Sequence, residues 1–200
     1  MNAKVEQKER SHETILSSAA QLLRGKGIAG ARVADVMEAA GMTVGGFYAH
    51  FASKAELIDE AMRRTGAELR ASLFARLDEK PEADRAIVVL KRYLSAAQRD
   101  VTDRGCPLPA VVGEVGTTAP EHHAVLGELI AALADGMEAQ LPASTVVIPR
   151  RQLALGLVAL MYGGLSLARA LKGSELSDEI LKACRALGSF AVRRDLRPNP

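Results

Sequence analysis

Tryptophan is absent from the 200 residues, and only three tyrosines and four phenylalanines are present. So thin an aromatic supply disfavours base-stacking single-strand binders and β-sandwich cores. The two cysteines, Cys106 and Cys184, stand 78 positions apart, which gives neither a disulfide framework nor a local zinc knuckle. Charge of one sign is lacking too: Lys+Arg 26 against Asp+Glu 24 leaves +2, no gross basic excess of the kind that announces nucleic acid. The polar start MNAKVEQKER contains no apolar h-region, so no signal peptide is expected. A single long uncharged run exists, 17 residues over 152–168, flanked by Arg150, Arg151 and Arg169. It reaches only the bottom of the transmembrane range, contains glycines and has no companion, so a buried helix is the expectation. The resulting picture is a cytoplasmic protein with no membrane partner.

What is present is helix. Hydrophobic residues make up 48% of the chain, enough for a sizeable core. They recur at three and four positions, and strict alternation is absent. Ile15, Ala19, Leu22 and Leu23 stripe a first helix over about 9–24, stopping at Gly25-Lys26-Gly27. Short helices are expected over 33–40 and 44–50, with a turn at Gly41. Ser53-x-x-Glu56 matches a capping box and opens a long helix over 54–77. Further helices are expected from Pro81 to 99, from Pro107 to 116, from Thr118-x-x-Glu121 to 140, over 150–171 and over 176–193. The β-like run Val146-Val147-Ile148 is isolated in a loop, and the tail after Asp195 is expected to fray.

Several suggestive strings fail on context. Gly25-x-Gly27-x-x-Gly30 spells a dinucleotide fingerprint, but a helix precedes it and the region about 20 residues on holds Ala49, His50 and Phe51 rather than an acid. Gly164-Leu165-Ser166 half-resembles a nucleophile elbow, yet lies mid-helix, where a serine bonding back to a carbonyl is expected. His122 and His123 point about 100° apart on a helix and have no third ligand, so solvated histidines are expected. No metal, no cofactor and no catalytic group follow, and the protein is expected not to be an enzyme.

Residues 31–51, ARVADVMEAAGMTVGGFYAHF, read as a helix-turn-helix whose second helix enters the DNA major groove. Thr43 occupies the N-cap position and can offer its hydroxyl to a phosphate. Gly45-Gly46 disfavours helix by about 1 kcal/mol per residue against Ala, and either marks a loose turn or lets the backbone press close to the groove. Lys54 in a first helical turn opposes the macrodipole, so local stability does not account for it, and it is either a phosphate ligand beside free helix-start N–H groups or a solvated surface lysine. Tyr48 and His50 are candidate phosphate donors. Phe47 and Phe51 are core plugs.

At these residues the chain resembles the tetracycline-repressor family of bacterial transcriptional regulators. The resemblance covers about residues 8–68, and its most specific part is Ala39-Ala40-Gly41-Met42-Thr43 through Gly46-Phe47-Tyr48-Ala49-His50-Phe51-Ala52-Ser53-Lys54. It implies an all-α homodimer of about nine helices. Residues 1–55 would form a three-helix DNA-binding domain and 56–200 an effector-binding and dimerisation bundle. It assigns phosphate contacts to Thr43, Tyr48, His50 and Lys54 and groove-facing roles to Val44, Gly45 and Gly46. Where the family often starts its second helix with Thr or Ser, this chain has Ala31, leaving Arg32 as the substitute. Val44 stands where the family is often basic or polar, and offers only apolar contact.

The partners implied are a palindromic double-stranded operator, a small-molecule effector and a second copy of the chain. The 150–171 helix, with Gly156, Gly163 and Gly164, would pack across the two-fold axis. Gly105-Cys106-Pro107-Leu108 looks like an element of one subgroup. Cys106 at a helix N-cap is either a thiol sensor of lowered pKa or a buried hydrophobe. The competing class is a small helical enzyme or ligand carrier with Cys106 as its reactive thiol.

Overall fold

Ile15, Ala19 and Leu23 fall on one side of the first helix and are fully buried, as their spacing predicts. The computed structural model describes residues 3–142 and 148–194. Among them are nine α-helices and two 3₁₀ helices, and no strand. The α-helices are α1 (Ala3–Gly30), α2 (Val33–Ala39), α3 (Lys54–Phe74), α4 (Glu82–Tyr93), α5 (Ala96–Asp100), α6 (Leu108–Val115), α7 (His123–Gln140), α8 (Arg150–Ala170) and α9 (Glu175–Arg194). The 3₁₀ helices span Val44–Ala49 and Pro120–His122. Most of the Val146-Val147-Ile148 run and the tail after Arg194 lie outside the described residues.

The chain forms two compact units that do not follow a single cut. The first takes the described residues up to Ala67 and adds Asp103–Leu129; the second joins Glu68–Thr102 to the described residues from Ile130 onward. Within the first, α1 packs on α6 and α2. The first helical run ends within the expected Gly25-Lys26-Gly27: Gly27, at φ 71° and ψ −169°, breaks it, and a short helical stretch continues beyond the kink to Gly30. Only glycine suits that backbone, and a Cβ there would stand 1.9 Å from Glu114 Oε1 and 2.8 Å from the Ala110 carbonyl. The kink leaves the Ile28 and Ala29 N–H groups without helical acceptors, and the Glu114 carboxylate takes both, at 2.9 and 2.7 Å.

The serine half of the capping box that opens α3 forms, Ser53 Oγ accepting from the Glu56 N–H at 3.1 Å, while the Glu56 carboxylate reaches one residue further back and accepts from the Ala52 N–H. Side-chain hydrogen bonds and ion pairs then tie α3 on both flanks. Glu60 meets His12 at 3.2 Å and Arg64 meets Glu13, both on α1. Asp59 meets His122 at 2.7 Å and Arg63 meets Glu128 at 3.0 Å.

In the second unit α8 packs along α9, and α4 packs on both. Glycines permit the closest approaches: a Cβ at Gly164 would lie 2.8 Å from Cys184 Sγ, and one at Gly188 would lie 2.9 Å from Leu90 Cδ1. Gly164 therefore serves packing within the chain, whereas Gly156 and Gly163 face open space. Burial pushes the Cys184 thiol up, in keeping with an inert residue. The helix expected over 81–99 is broken. Leu94, at φ −86° and ψ 53°, ends α4, and Ser95 caps α5 by accepting from the Gln98 N–H. Arginines hold the carbonyls around the break: Arg185 donates to Leu94 O and Arg169 to Gln98 O. α8 is long and apolar enough to cross a membrane by length and composition. Its residues Leu153, Leu157, Met161 and Leu165 are nevertheless buried inside the unit.

Candidate nucleic-acid interface

A tight reversal after α2 sets the interface. Gly41, at φ 72°, occupies the left-handed position beyond the helix end. Its N–H donates to Glu38 O at 2.9 Å and the Met42 N–H donates to Met37 O at 2.8 Å. This is the paired-bond stop that glycine makes available to a helix C-terminus. The chain then extends through Thr43 and enters the Val44–Ala49 helix.

That second element is a 3₁₀ helix, tighter than the α-helix expected over 44–50, with His50 as its C-cap. Two adjacent glycines weaken α-helix formation, and a six-residue element suits i→i+3 bonding. Thr43 stands at the N-cap, as expected, but its side chain makes no cap hydrogen bond. Val44 is 49% and Tyr48 74% exposed, and Thr43 and Gly45 are exposed beside them. A Cβ at Gly45 would meet nothing within 4 Å; at Gly46 it would touch Met37 Cε at 3.9 Å. The inward side is aromatic. Phe47 and Phe51 are buried and stack with centroids 5.7 Å apart, His12 stacks on Phe51 at 4.5 Å, and Tyr48 meets Phe47 edge-on at 5.2 Å. Both phenylalanines are the core plugs the sequence predicts.

Arg32 is the N-cap of α2, without a capping bond, and reaches Asp35 with Nε at 2.6 Å and Nη2 at 3.0 Å. Its hydrogen bond and charge hold the Asp35 carboxyl below its ordinary value. His50 is half-buried, its Nδ1 has no hydrogen-bond partner, and its ring lies 6.2 Å from His12. Burial first, then His12 and Lys8, lower its pKa.

Lys54 is placed differently from the expectation. Its ammonium donates to the Ile28 carbonyl at 3.0 Å, so a structural partner accounts for a cation in the first turn of α3. An ammonium has three donors, and this bond occupies one.

Other singled-out residues resolve separately. Cys106 is fully buried, and Pro107, not Cys106, is the N-cap of α6. His122 is not solvated: it is 2% exposed and bonded to Asp59, while His123 is exposed. Ser166 makes no back-bond; its Oγ is buried without a partner. Thr118 does not open α7 with a capping box, because the helix is entered through Pro120–His122 with Ala119 at its N-cap. Among the described residues no three His, Cys, Asp or Glu side chains converge to hold a metal ion. Sequence reasoning missed Glu114, whose role depends on backbone N–H groups 85 and 86 residues away.

Residues 15–61 match the family model described as bacterial regulatory proteins, tetR family. No curated protein matches the sequence. Among solved structures, a TetR transcriptional regulator from Chloroflexus aurantiacus J-10-FL is similar at 23% identity over 94% of this chain and 97% of that one, with a TM-score of 0.76. A TetR-family regulator from Cytophaga hutchinsonii is 23% identical over 92% of this chain and 95% of its own, with a TM-score of 0.75. The reduced form of E. coli NemR is 20% identical over 88% of this chain and 96% of its own, also with a TM-score of 0.75. The fold is that of these regulators along nearly its full length.

Proposed function

We propose that this chain, with the N-terminal domain and the fold of TetR-family transcriptional regulators, is a ligand-responsive repressor that binds a palindromic operator as a homodimer in the cytoplasm. The observation that carries the reading is the outward side of the Val44–Ala49 helix, where exposed Thr43, Val44, Gly45 and Tyr48 sit over buried Phe47 and Phe51. Thr43, Tyr48, His50 and Lys54 contact phosphates and fix register; Val44, Gly45 and Gly46 face the groove, and Arg32 flanks it. With one apolar side chain and two glycines at the bases, sequence preference leans on DNA shape and on thymine methyls.

A second copy pairs through the outward sides of α8 and α9, where Leu167 is 56% and Leu187 59% exposed. The effector is a small molecule held by the helical bundle. Full burial of Cys106 favours a reversible ligand over an electrophile attacking that thiol, and disfavours an enzyme or carrier built on it.

A mobility-shift titration of DNA from upstream of its own gene, repeated across salt, tests the reading. Log affinity should fall linearly with log salt, by about 0.9 per phosphate neutralised. Absence of binding at low salt would overturn it.

A further inference from the structure

One amide group joins two charges in the first unit. The peptide between Ile28 and Ala29 accepts from Lys54 Nζ through its carbonyl at 3.0 Å and donates to Glu114 Oε2 through its N–H at 2.7 Å. The other carboxylate oxygen takes the Ile28 N–H at 2.9 Å. Glu114 is itself held, since its own carbonyl accepts from the Thr117, Thr118 and Ala119 N–H groups at 3.0, 2.7 and 2.8 Å. Gly27 has no side chain to stand in the way of this approach.

We propose that Glu114 is a positioning residue for Lys54, acting through that single peptide group. The carboxylate polarises the amide, the amide carbonyl becomes a better acceptor, and the ammonium is fixed with its remaining donors available to a DNA phosphate. Hydrogen bonds in such a chain strengthen one another, and removing either end weakens the bond at the other. The inference rests on the DNA-binding reading for its consequence, though not for the coupling.

The test is a double-mutant cycle with Glu114→Ala, Glu114→Gln and Lys54→Met in the full-length chain. A random-sequence 30-base-pair duplex at low salt serves as the probe, because phosphate contacts need no particular sequence. Glu114→Ala should weaken binding about tenfold in the wild-type background and cause no further loss beside Lys54→Met. Glu114→Gln, which keeps an acceptor and loses the charge, should fall between and remains informative if the alanine variant fails to fold. Equal losses in both backgrounds, or no loss in either, overturn the proposal. Amide hydrogen exchange at Ala29 provides a second readout without DNA. Lys54→Met should speed it, although the bond removed is on the far side of the peptide; unchanged exchange overturns the coupling. A wild-type chain that binds no duplex while Ala29 still responds overturns the DNA-binding reading and leaves the coupling supported.

Discussion

His50 should respond to acid in two opposite ways. Its folded-state pKa lies below the ordinary value of 6.5, chiefly through burial. The unfolded chain therefore binds this proton more readily than the folded one. Stability from the group is complete above the ordinary histidine range and is lost as pH falls through the lower folded value. The melting temperature should drop between about pH 7 and pH 5, and His50→Gln should flatten that drop. The proposed DNA phosphate beside the ring would favour imidazolium, so DNA affinity should rise over the same interval and lose that rise in His50→Gln. Melting curves and binding titrations over one pH series check both signs. At this scale the sequence shows composition and local spacing, so Phe47 and Phe51 are legible as plugs. Lys54 is not, because its acceptor is a backbone carbonyl 26 residues away. His122 is hidden for the same reason, its carboxylate partner lying 63 residues back.

Helices are legible wherever local chemistry decides them. Ser53-x-x-Glu56 forms its cap, whereas Thr118-x-x-Glu121 does not, because the Thr118 N–H is committed to the Glu114 carbonyl at 2.7 Å and Pro120 begins a 3₁₀ turn. The break between α4 and α5 is invisible in the periodicity, since Arg185 and Arg169, which hold its carbonyls, come from α9 and α8. In the Val44–Ala49 helix the glycines are legible but the 3₁₀ winding is not. Gly45 has a φ outside the left-handed region and open space around it. Gly45→Ala should therefore stabilise the protein by up to about 1 kcal/mol in urea denaturation. The same methyl stands on the outward surface, so duplex affinity should fall. A gain in both quantities would remove Gly45 from the groove.

For the whole molecule, all-helical architecture follows from the apolar spacing, while the division into units does not. The segment Asp103–Leu129 joins the N-terminal helices, and no feature of composition marks it. Assembly has its own test. Leu187 is 59% exposed on α9, so Leu187→Glu should convert a dimer to monomers by light scattering without changing helicity, and should weaken operator binding because one half-site is engaged. Leu160 is a poorer probe, being half-buried with its Cδ2 only 3.3 Å from where a Gly188 Cβ would stand.

The kink at Gly27 also bears on synthesis. Ile28 and the carboxylate that receives its N–H are separated by 86 residues, which at 5–20 residues per second amounts to roughly 4 to 17 s of elongation. Until Glu114 has been made, the acceptor that the Ile28 and Ala29 N–H groups find in the folded protein is missing, although Phe47 and Phe51 are in the chain for most of that interval. The kink at Gly27 can therefore reach its final hydrogen bonding only after α6 has been synthesised.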